Sequence, residues 1–540
     1  MKTNSKFLKL ALPLLLGVLV FLFWDLLHPE VLNYHEQNQL FLFSWDYFLQ
    51  RISVPGGLAD WLSEFCVQFY YYSWAGALVL ALLFIALQQL VLLQFNNRSS
   101  MLSQMASLLP SVLMIWHMGD IEVLLSYMLA MLLVLAASAL MRKCRFWWAD
   151  IPMVLVLYWL AGPMAWVYAG LQLVRGGWKQ LISMGVLLAT QVLVYHFLLD
   201  QNTLTEVMLG INYYRVPDTW TGMQVMQPVF IVLLPLLFEN KVVTKWKDTS
   251  IGTAVGLVVC VLGYLAVDTG YDKDICELLT QDMLVRQERW DDVIERAEKH
   301  QVQNPMSSNY VNLSLAMKRQ LADRMFDFYQ SGDDALIMPA IRDNVSNIGT
   351  AEAFYHLSMT NSCLRYFSDL QESILNFRKS GRFTKRIAEC YIVNGNYPIA
   401  RKQLALLKQS LFYRSWAEEA EACLGKEALV NANPDWGRMR RFHFKNEFLY
   451  SYPEVDKMLG QLFADNIDNK MALDYFMGDM LLKGNPQGFM GYMRWVQQYG
   501  GYQMMPAGYQ DAINAIQARG ELPGSAYASF VKRMMSRGSN

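Results

Sequence analysis

The chain has 540 residues, with 46 Lys and Arg against 47 Asp and Glu, and its formal net charge is −1. Its length predicts two or more domains. Residues 1–270 hold 14 basic and 15 acidic side chains, whereas residues 271–540 hold 32 of each. The first half is therefore of membrane type and the second of soluble type, and neither has the basic excess that a nucleic-acid partner requires.

Apolar runs of about 20 residues, the length that crosses a bilayer, recur through the first half. The run LALPLLLGVLVFLFW at 10–24 follows three lysines and is not followed by a small-residue cleavage site. It is therefore interpreted as a retained transmembrane helix rather than as a signal peptide. About nine spans are predicted, near residues 7–27, 73–95, 105–118, 122–141, 151–162, 164–174, 180–199, 223–238 and 250–268.

Two proline-led segments resemble each other. PSVLMIWHMGDIEVLLSYMLAML begins at Pro110 and PMVLVLYWLAGPMAWVYAGLQL at Pro152, and each has a glycine-containing break between two apolar halves. Both are predicted to form tight hairpins that do not cross the bilayer fully. Non-helical backbone at that depth has to be covered by protein or by a water-filled cavity.

The basic residues orient the predicted spans. With nine crossings and a cytoplasmic N-terminus, only Arg51 and Arg215 face outward, and an odd number of crossings places residues 271–540 in the periplasm of a bacterium. The 28–72 loop then shares that compartment. Twelve basic residues face the cytoplasm: Lys2, Lys6, Lys9, Arg98, Arg142, Lys143, Arg145, Arg175, Lys179, Lys241, Lys245 and Lys247.

Residues 271–540 show helical apolar spacing almost throughout. The segment AECYIVNGNYPIARKQLALL at 388–407 places small and large residues as a tetratricopeptide repeat does, with Gly395 at the turn between two helices. Weaker matches begin at Arg289 and Asp474. We therefore expect a degenerate α-solenoid of helix pairs, whose concave face binds periplasmic envelope proteins. A helical domain that only covers the membrane part is the alternative.

The loop after the first span, at 28–72, contains two segments with helical spacing, 36–52 and 58–69, joined by Pro-Gly-Gly. The second segment is amphipathic. Aromatic-rich helices of this kind lie in the membrane interface and are expected to hold Glu36 at the membrane surface. The apolar face of the second segment carries Leu58, Trp61, Leu62, Phe65 and Phe69, and its polar face carries Asp60, Ser63, Glu64 and Gln68.

This order of a first span, an outer loop with an early acidic residue, two interfacial helices and a second span resembles the membrane glycosyltransferases of the C superfamily. The resemblance implies a donor sugar carried on a polyprenyl phosphate lipid. It implies that Glu36 is the catalytic base that deprotonates an acceptor hydroxyl. It also implies that Arg51 and Arg215 bind the lipid phosphate. His35-Glu36-Gln37 departs from the acidic pair of many such enzymes, so a member that binds a lipid without reacting is equally compatible.

Further polar residues gather at the outer ends of the predicted spans. His35, Asp120 in WHMGDIE, and Tyr214 and Asp218 in NYYRVPDTW are the remaining candidates for substrate binding. No metal site is predicted, because no histidine pair has HExxH or HxH spacing and the seven cysteines include no CxxC. No phosphate-binding glycine loop or GxSxG elbow is present, and the sequence indicates no cofactor.

Five longer segments extend over both halves of the chain: EQNQLFLF at 36–43, PGGLADWL at 55–62, QFYYYSWAGAL at 68–78, NYVNLSLAMKRQLADRMFDFYQ at 309–330 and NGNYPIARKQLALLKQSLFYRSWA at 394–417. In these segments the chain resembles a family of polytopic inner-membrane proteins of the Bacteroidota that carry a C-terminal tetratricopeptide-like domain. That resemblance supports the architecture and names no activity.

The sequence thus predicts an all-α protein, with a polytopic transmembrane bundle at 1–270 and a periplasmic helical-repeat domain at 271–540. Its predicted partners are the lipid bilayer, a polyprenyl-phosphate-linked sugar and periplasmic envelope proteins. The expected function is that of a glycosyltransferase-like enzyme of the inner membrane, acting on cell-envelope glycans or glycolipids. A non-catalytic membrane-anchored scaffold is the main alternative, and a transporter or flippase is the third.

Overall fold

The computed structural model describes residues 2–144, 146–199, 201–210, 214–215, 220–238, 245–375, 378–444, 452–499, 501–520 and 522–538. It divides into two compact units, Met1–Cys276 and Glu277–Asn540. All regular secondary structure in the described ranges is helical, so the predicted all-α class is confirmed.

The first unit contains the apolar helices. Its helices, numbered in chain order, are α1 Lys2–Leu22, α2 Pro29–Gln37, α3 Trp45–Ile52, α4 Gly57–Val67, α5 Ser73–Leu92, α6 Met101–Ala106, α7 Leu109–His117, α8 Leu125–Met141, α9 Asp150–Ala161, α10 Ala165–Gly176, α11 Leu181–Phe197, α12 Leu204–Leu209, α13 Gly222–Phe238, α14 Lys245–Thr269 and α15 Lys273–Arg286, the last of which extends into the second unit.

Among the described residues, five helical stretches are long and apolar enough to cross a membrane, fewer than the nine predicted. The predicted span at 105–118 is divided, because α6 ends at Ala106 and α7 begins at Leu109. Leu125–Met141 and Gly222–Leu237 are apolar but shorter. The five are Leu10–Leu27, Ser73–Leu92, Trp147–Gly176, Trp178–Phe197 and Asp248–Thr269.

The stretch Trp147–Gly176 folds back on itself. Gly162 has φ +68° and separates α9 from α10. The Asp150 carboxylate at the start of α9 accepts a hydrogen bond of 2.9 Å from Gln172 near the end of α10, which requires antiparallel arms. Each arm of 12 residues spans about 18 Å, less than the hydrocarbon core of about 30 Å. The second proline-led segment is therefore a hairpin, and it belongs to the five candidate spans by its total length and composition alone.

The first proline-led segment is not a tight hairpin. Both of its helices pack against α5, but α7 otherwise packs against α13 and α14, whereas α8 packs against α4, α9 and α10. The likeness of the two segments in sequence therefore does not extend to their packing.

One end of the first unit, called the basic end here, is fixed by hydrogen bonds to backbone and neutral side chains. Arg142 donates to the Leu93 carbonyl at 2.6 Å, and Arg175 donates to the Ser138 hydroxyl at 2.9 Å. The carboxylate of Asp248 accepts from the Met101 backbone N–H at 3.1 Å. The ends of the predicted spans that carry Arg142, Arg175 and Asp248 are therefore anchored by neighbouring segments of the first unit.

The second unit is built from short helices that pack against their neighbours in the chain. Its helices after α15 are α16 Trp290–Lys299, α17 Pro305–Met317, α18 Leu321–Arg324, α19 Ile348–Leu357, α20 Thr360–Glu372, α21 Gly381–Val393, α22 Tyr397–Leu407, α23 Arg414–Cys423, α24 Glu427–Ala432, α25 Pro434–Phe442, α26 Val455–Asp465, α27 Lys470–Leu482, α28 Pro486–Gln498, α29 Ala507–Gln517 and α30 Ala526–Gly538.

The best tetratricopeptide-like segment does form a helix pair, α21 and α22, with Gly395 in the turn at φ +72°. However, α17 also packs against α27, and α18 packs against α29. A stack in which each repeat contacts only its neighbours does not make such long-range contacts. The helical composition is confirmed, and the solenoid stays a prediction.

The second unit buries a charged network. Arg382, 4% exposed, donates two hydrogen bonds to Asp282, at 2.8 and 2.9 Å, and lies 3.1 Å from Glu352. Burial would raise the pKa of Glu352, but Arg386 and Arg382 together lower it to about 2. The network links α15, α19 and α21, so it fixes how three helices pack. Nearby, the buried thiols of Cys363 and Cys390 lie 3.3 Å apart.

Replacing Arg382 by methionine should destabilise this core. Two buried carboxylates lose a partner, which costs about 3–5 kcal/mol at pH 7. Because the folded-state pKa of Glu352 is depressed, its pairing stabilises the fold above about pH 4.5 and loses that effect as the pH falls towards 2. The difference between wild type and Arg382→Met should therefore shrink below pH 4.5.

Hydrogen–deuterium exchange of α21 in the detergent-solubilised full chain measures this effect. Arg365→Met is the matched control, because Arg365 is 45% exposed and its pair with Asp369 is 4.0 Å long. Equal exchange in the two variants would contradict the assigned network.

Candidate functional site

The polar run His35-Glu36-Gln37-Asn38-Gln39 is buried. Each of its side chains is less than 10% exposed, and Glu36 is 4% exposed. Helix α2 packs against α4 and against the turn Gln68–Tyr71. Glu36 is therefore covered by protein, whereas the sequence predicted a position at the membrane surface. Its role as a base stays a prediction.

Several polar atoms around this run have no hydrogen-bond partner in the described part of the chain. They are both amide atoms of Gln39, the hydroxyl of Ser63 and the hydroxyl of Tyr70. Buried polar atoms are costly unless water or another ligand pairs with them. The surroundings of α2 can therefore accept water or a hydroxyl group.

Arg51 lies in a buried ion pair with Glu64. The guanidinium is 2.8 Å from the carboxylate, Glu64 is fully buried, and the Tyr47 hydroxyl donates to the same carboxylate. The charge of Arg51 is thus matched within the protein. Its assignment to a lipid phosphate stays a prediction.

Helix α4 is amphipathic as predicted, and its polar face is the buried one. Asp60, Ser63, Glu64 and Gln68 are buried, whereas Trp61 and the other aromatic residues of the opposite face remain partly exposed. This arrangement suits a helix that faces protein on one side and lipid on the other. The first loop helix is shorter than predicted, because α2 ends at Gln37 and α3 begins after Ser44, which caps it by accepting from the Tyr47 N–H at 3.2 Å.

Tyr214 and Arg215 tie several helix ends together. The Tyr214 carbonyl accepts from the Leu124 N–H at 2.9 Å. Its buried hydroxyl donates to the Ala161 carbonyl and accepts from the Met164 N–H at 3.1 Å, at the turn of the α9–α10 hairpin. These bonds supply partners to backbone groups that no regular helix satisfies.

Arg215 forms the charged centre of this region. Its Nε lies 2.8 Å from Asp120, and its Nη2 pairs with Glu122. Asp120 and Glu122 are 27% and 34% exposed, so the carboxylates are at the rim and the guanidinium is below them. Burial raises the pKa of Glu122, while Arg215 opposes that rise. The structure thus brings together Asp120, Tyr214 and Arg215, three of the residues that the sequence names as candidates, and their role in substrate binding stays a prediction.

Asp120, Glu122 and Arg215 line a polar cavity of about 620 Å³. Trp116, His117, Tyr271 and Cys276 line it as well. The buried Nε2 of His117 has no hydrogen-bond partner among the described residues. The cavity therefore offers a cation, carboxylates and an unsatisfied imidazole nitrogen to a polar ligand.

An apolar groove of about 380 Å³ lies beside the polar cavity. Tyr214 and Gln224 line the groove, whereas their chain neighbours Arg215 and Met223 line the cavity. The groove is otherwise formed by apolar residues of α10, α12 and α13. The two spaces together match a molecule with a polar head and a hydrocarbon chain.

His28, Glu30 and Cys276 form a second cluster on the same side. Nδ1 of His28 is 2.9 Å from the Glu30 carboxylate and 3.8 Å from Sγ of Cys276. The three ligand atoms lie within 4.8 Å of one another. Burial and the Glu30 carboxylate raise the pKa of the Cys276 thiol to about 12. No spacing in the sequence indicates this cluster, because its cysteine lies far along the chain from its histidine.

Other candidates fall elsewhere. Glu36 and His35 are not among the described residues that line the polar cavity, and Asp218 lies outside the residues that the structure describes. Glu122 lies in the motif WHMGDIE with Asp120, but the sequence analysis did not select it as a site residue. The signal that could have identified it is its position in the loop between two apolar segments, next to Asp120.

A comparison with protein-family models matches residues 4–537 to a family of unknown function, DUF6057. The chain belongs to the DUF6057 family. No curated protein and no solved structure matches it. Membership in DUF6057 covers both units, so the association of apolar helices with a helical second unit belongs to the family, and the site has to be interpreted from its own geometry.

Substitution of Arg51 tests its buried position. Arg51→Met should destabilise the first unit by about 3–5 kcal/mol, because Glu64 is left as an unpaired buried carboxylate. The double variant Arg51→Met/Glu64→Leu should recover much of that loss. The measurement is the midpoint of thermal unfolding in detergent. An unchanged midpoint in Arg51→Met would indicate an arginine that serves only a ligand.

Proposed function

We propose that this DUF6057 protein is an inner-membrane enzyme that binds a polyprenyl-phosphate-linked sugar and transfers the sugar at the periplasmic face. The observation that carries the proposal is the placement of two adjacent residues, because Tyr214 lines the apolar groove and Arg215 lines the polar cavity. A lipid of this class has a long apolar chain and a compact anionic head, which are the two chemistries that the site offers.

The groove favours a lipid chain. Val229 and Leu233 of α13 line it and remain 52% and 43% exposed, so it opens on an apolar side of the bundle. Each buried methylene contributes about 0.8 kcal/mol. The Oε1 of Gln224, buried in the groove wall, has no hydrogen-bond partner among the described residues. It is available to a polar group where the chain joins the head.

The polar cavity favours an anionic head group, which competes with two carboxylates for Arg215. Arg215 is the cation that a phosphate would contact. Two carboxylates already pair with it, so a phosphate has to displace at least one of them. Glu122 is the more exposed of the two and the easier to displace. Removing the charge of Glu122 should therefore strengthen phosphate binding.

The distribution of basic residues supports a periplasmic position for the site. Arg98, Arg142 and Arg175 belong to the basic end, and the positive-inside rule assigns that end to the cytoplasm. The site lies at the opposite ends of the same helices. The hairpin at Trp147–Gly176 returns to the side from which it starts, so it leaves this assignment unchanged.

Glu36 is the proposed base for the acceptor hydroxyl. It is buried beside polar atoms that have no partner among the described residues, notably those of Gln39, and these can hold an acceptor or a water. The proposal therefore divides the work between two places: Arg215 binds the donor phosphate in the polar cavity, and Glu36 activates the acceptor from outside the described lining of that cavity. It requires the donor sugar to extend from Arg215 to the acceptor hydroxyl at Glu36.

Lipid binding can be measured by native mass spectrometry of the full chain in detergent, titrated with a short-chain polyprenyl phosphate. Arg215→Gln should weaken binding by about tenfold or more, and Glu122→Gln should strengthen it several-fold. Arg98→Gln is the control, because Arg98 is exposed at the basic end.

Three results would contradict the proposed lipid site. They are equal affinities in all variants, weaker binding in Glu122→Gln, and tighter binding of an uncharged polyprenol than of its phosphate. A scaffold that only anchors in the bilayer gives the first of these results.

The transfer step is tested by comparing envelope glycans and glycolipids by mass spectrometry in a deletion strain. Wild type should restore a missing sugar species, and Glu36→Gln should not, because the amide keeps the size of the side chain but cannot accept the proton. Glu36→Gln should still bind polyprenyl phosphate in the titration above. Full complementation by Glu36→Gln would exclude Glu36 as the base.

A further inference from the structure

The geometry points to a binding site for a divalent transition-metal ion, Zn²⁺ in particular, formed by His28, Glu30 and Cys276. We infer this site from three side chains of different ligand types that converge on one point. His28 and Glu30 flank the start of α2, and Cys276 lies in the first turns of α15. Helix folding alone does not require these residues to meet.

The ligand spacing is close to that of a tetrahedral zinc site. Zinc bonds of about 2.0–2.1 Å to nitrogen and oxygen and of about 2.3 Å to sulfur put N and O about 3.3 Å apart, and N and S about 3.6 Å apart. The observed separations are 2.9 Å between His28 and Glu30, and 3.8 Å between His28 and Cys276. These two separations differ from the zinc values by a few tenths of an ångström. The third pair, Glu30 and Cys276, lies within 4.8 Å, and it has to approach about 3.6 Å when the ion binds.

The surroundings hold His28 in place. A π-helical turn, Phe23–Leu27, ends the first membrane helix directly before it, and turns of this kind recur at functional sites. The Tyr271 ring stacks on the imidazole with centroids 4.3 Å apart, and its hydroxyl donates to the Ile115 carbonyl at 3.1 Å. Tyr271 is therefore a positioning residue, as are the partners that orient ligands in known metal sites.

The ligand types select the ion. Imidazole, thiolate and carboxylate together suit Zn²⁺ and disfavour Mg²⁺ and Ca²⁺, which prefer oxygen alone. An ion bound here displaces the thiol proton of Cys276. Three protein ligands leave a fourth position for water or for an oxygen of a molecule in the polar cavity, which Cys276 and Tyr271 help to line.

A simple hydrogen-bonded cluster is the competing interpretation. A His28–Glu30 pair needs no thiol, and a buried cysteine needs no imidazole. Among the described residues, His28, Glu30 and Cys276 are the group of three potential metal ligands whose ligand atoms all lie within 4.8 Å of one another. Glu30 is 4% exposed, which separates it from the acidic groups that gather on surfaces. The two interpretations differ in whether the thiol becomes a metal-bound thiolate.

Cobalt substitution distinguishes them. The full chain, purified in detergent and stripped with a chelator, should take up one equivalent of Co²⁺ and show a thiolate-to-cobalt charge-transfer band, which Zn²⁺ then abolishes. Cys276→Ser should lose the band, and Glu30→Gln should bind about tenfold more weakly or worse. Cys66→Ser is the matched control, because Cys66 is a partly buried thiol of the same unit.

Two results would overturn the site: no charge-transfer band in the wild type, or a band that survives in Cys276→Ser. Because a variant could fail to fold, hydrogen–deuterium exchange of α7 and α14 should match between wild type and Cys276→Ser. The inference does not rest on the proposed lipid function. Arg215→Gln should bind Co²⁺ like wild type even though it loses lipid affinity, so failure of one proposal leaves the other testable.

Discussion

Satisfying polar backbone inside an apolar bundle is the constraint on which the site depends. Tyr214 meets that constraint at three points, through the Leu124 N–H, the Ala161 carbonyl and the Met164 N–H. In a membrane, each of these groups would otherwise cost several kcal/mol. The same residue places Arg215 beside the 118–124 loop, so that Tyr214 lines the apolar groove and Arg215 lines the polar cavity. The geometry of a possible substrate site thus follows from the hydrogen-bonding needs of helix ends.

A second consequence of the same constraint is that helix α4 buries its polar face. It turns its polar face towards protein, where Glu64 pairs with Arg51, and leaves aromatic residues partly exposed. The adjacent run around Glu36 is buried, and both amide atoms of Gln39 in this run lack a hydrogen-bond partner among the described residues. Proteins retain incompletely satisfied polar groups chiefly where water, a ligand or a proton has to enter. The surroundings of Glu36 are therefore a part of the first unit where water or a ligand can enter.

Much of this architecture could be predicted from the sequence. The apolar runs and the low charge of residues 1–270 indicated membrane helices, and the proline at 152 and glycine at 162 indicated a hairpin. The count of nine spans was wrong as a count of full-length helices, because hydropathy alone does not show where a helix breaks. Asp120, Tyr214 and Arg215 were identified because polar residues are conspicuous at the ends of apolar runs.

Several contacts, within the site and in the second unit, could not be predicted, for a physical reason. The meeting of His28 with Cys276, and of Cys363 with Cys390, depends on how helices pack, which no local spacing encodes. The burial of Arg51 is of the same kind, because a basic residue in an outer loop is indistinguishable in sequence from one that faces a ligand. The structure shows that Arg51 pairs within the fold, because it lies against the Glu64 carboxylate on the polar face of α4.

The most direct test of lipid binding at this site is photocrosslinking in cells. A photoreactive side chain at Val229, in the apolar groove, is compared with one at Leu82, which is 58% exposed on α5, and the crosslinked lipids are identified by mass spectrometry. If a phosphate-headed isoprenoid lipid occupies the groove, it should be enriched at Val229 relative to Leu82. Recovery of the same bulk phospholipids in the same proportions from both positions would contradict a selective lipid site.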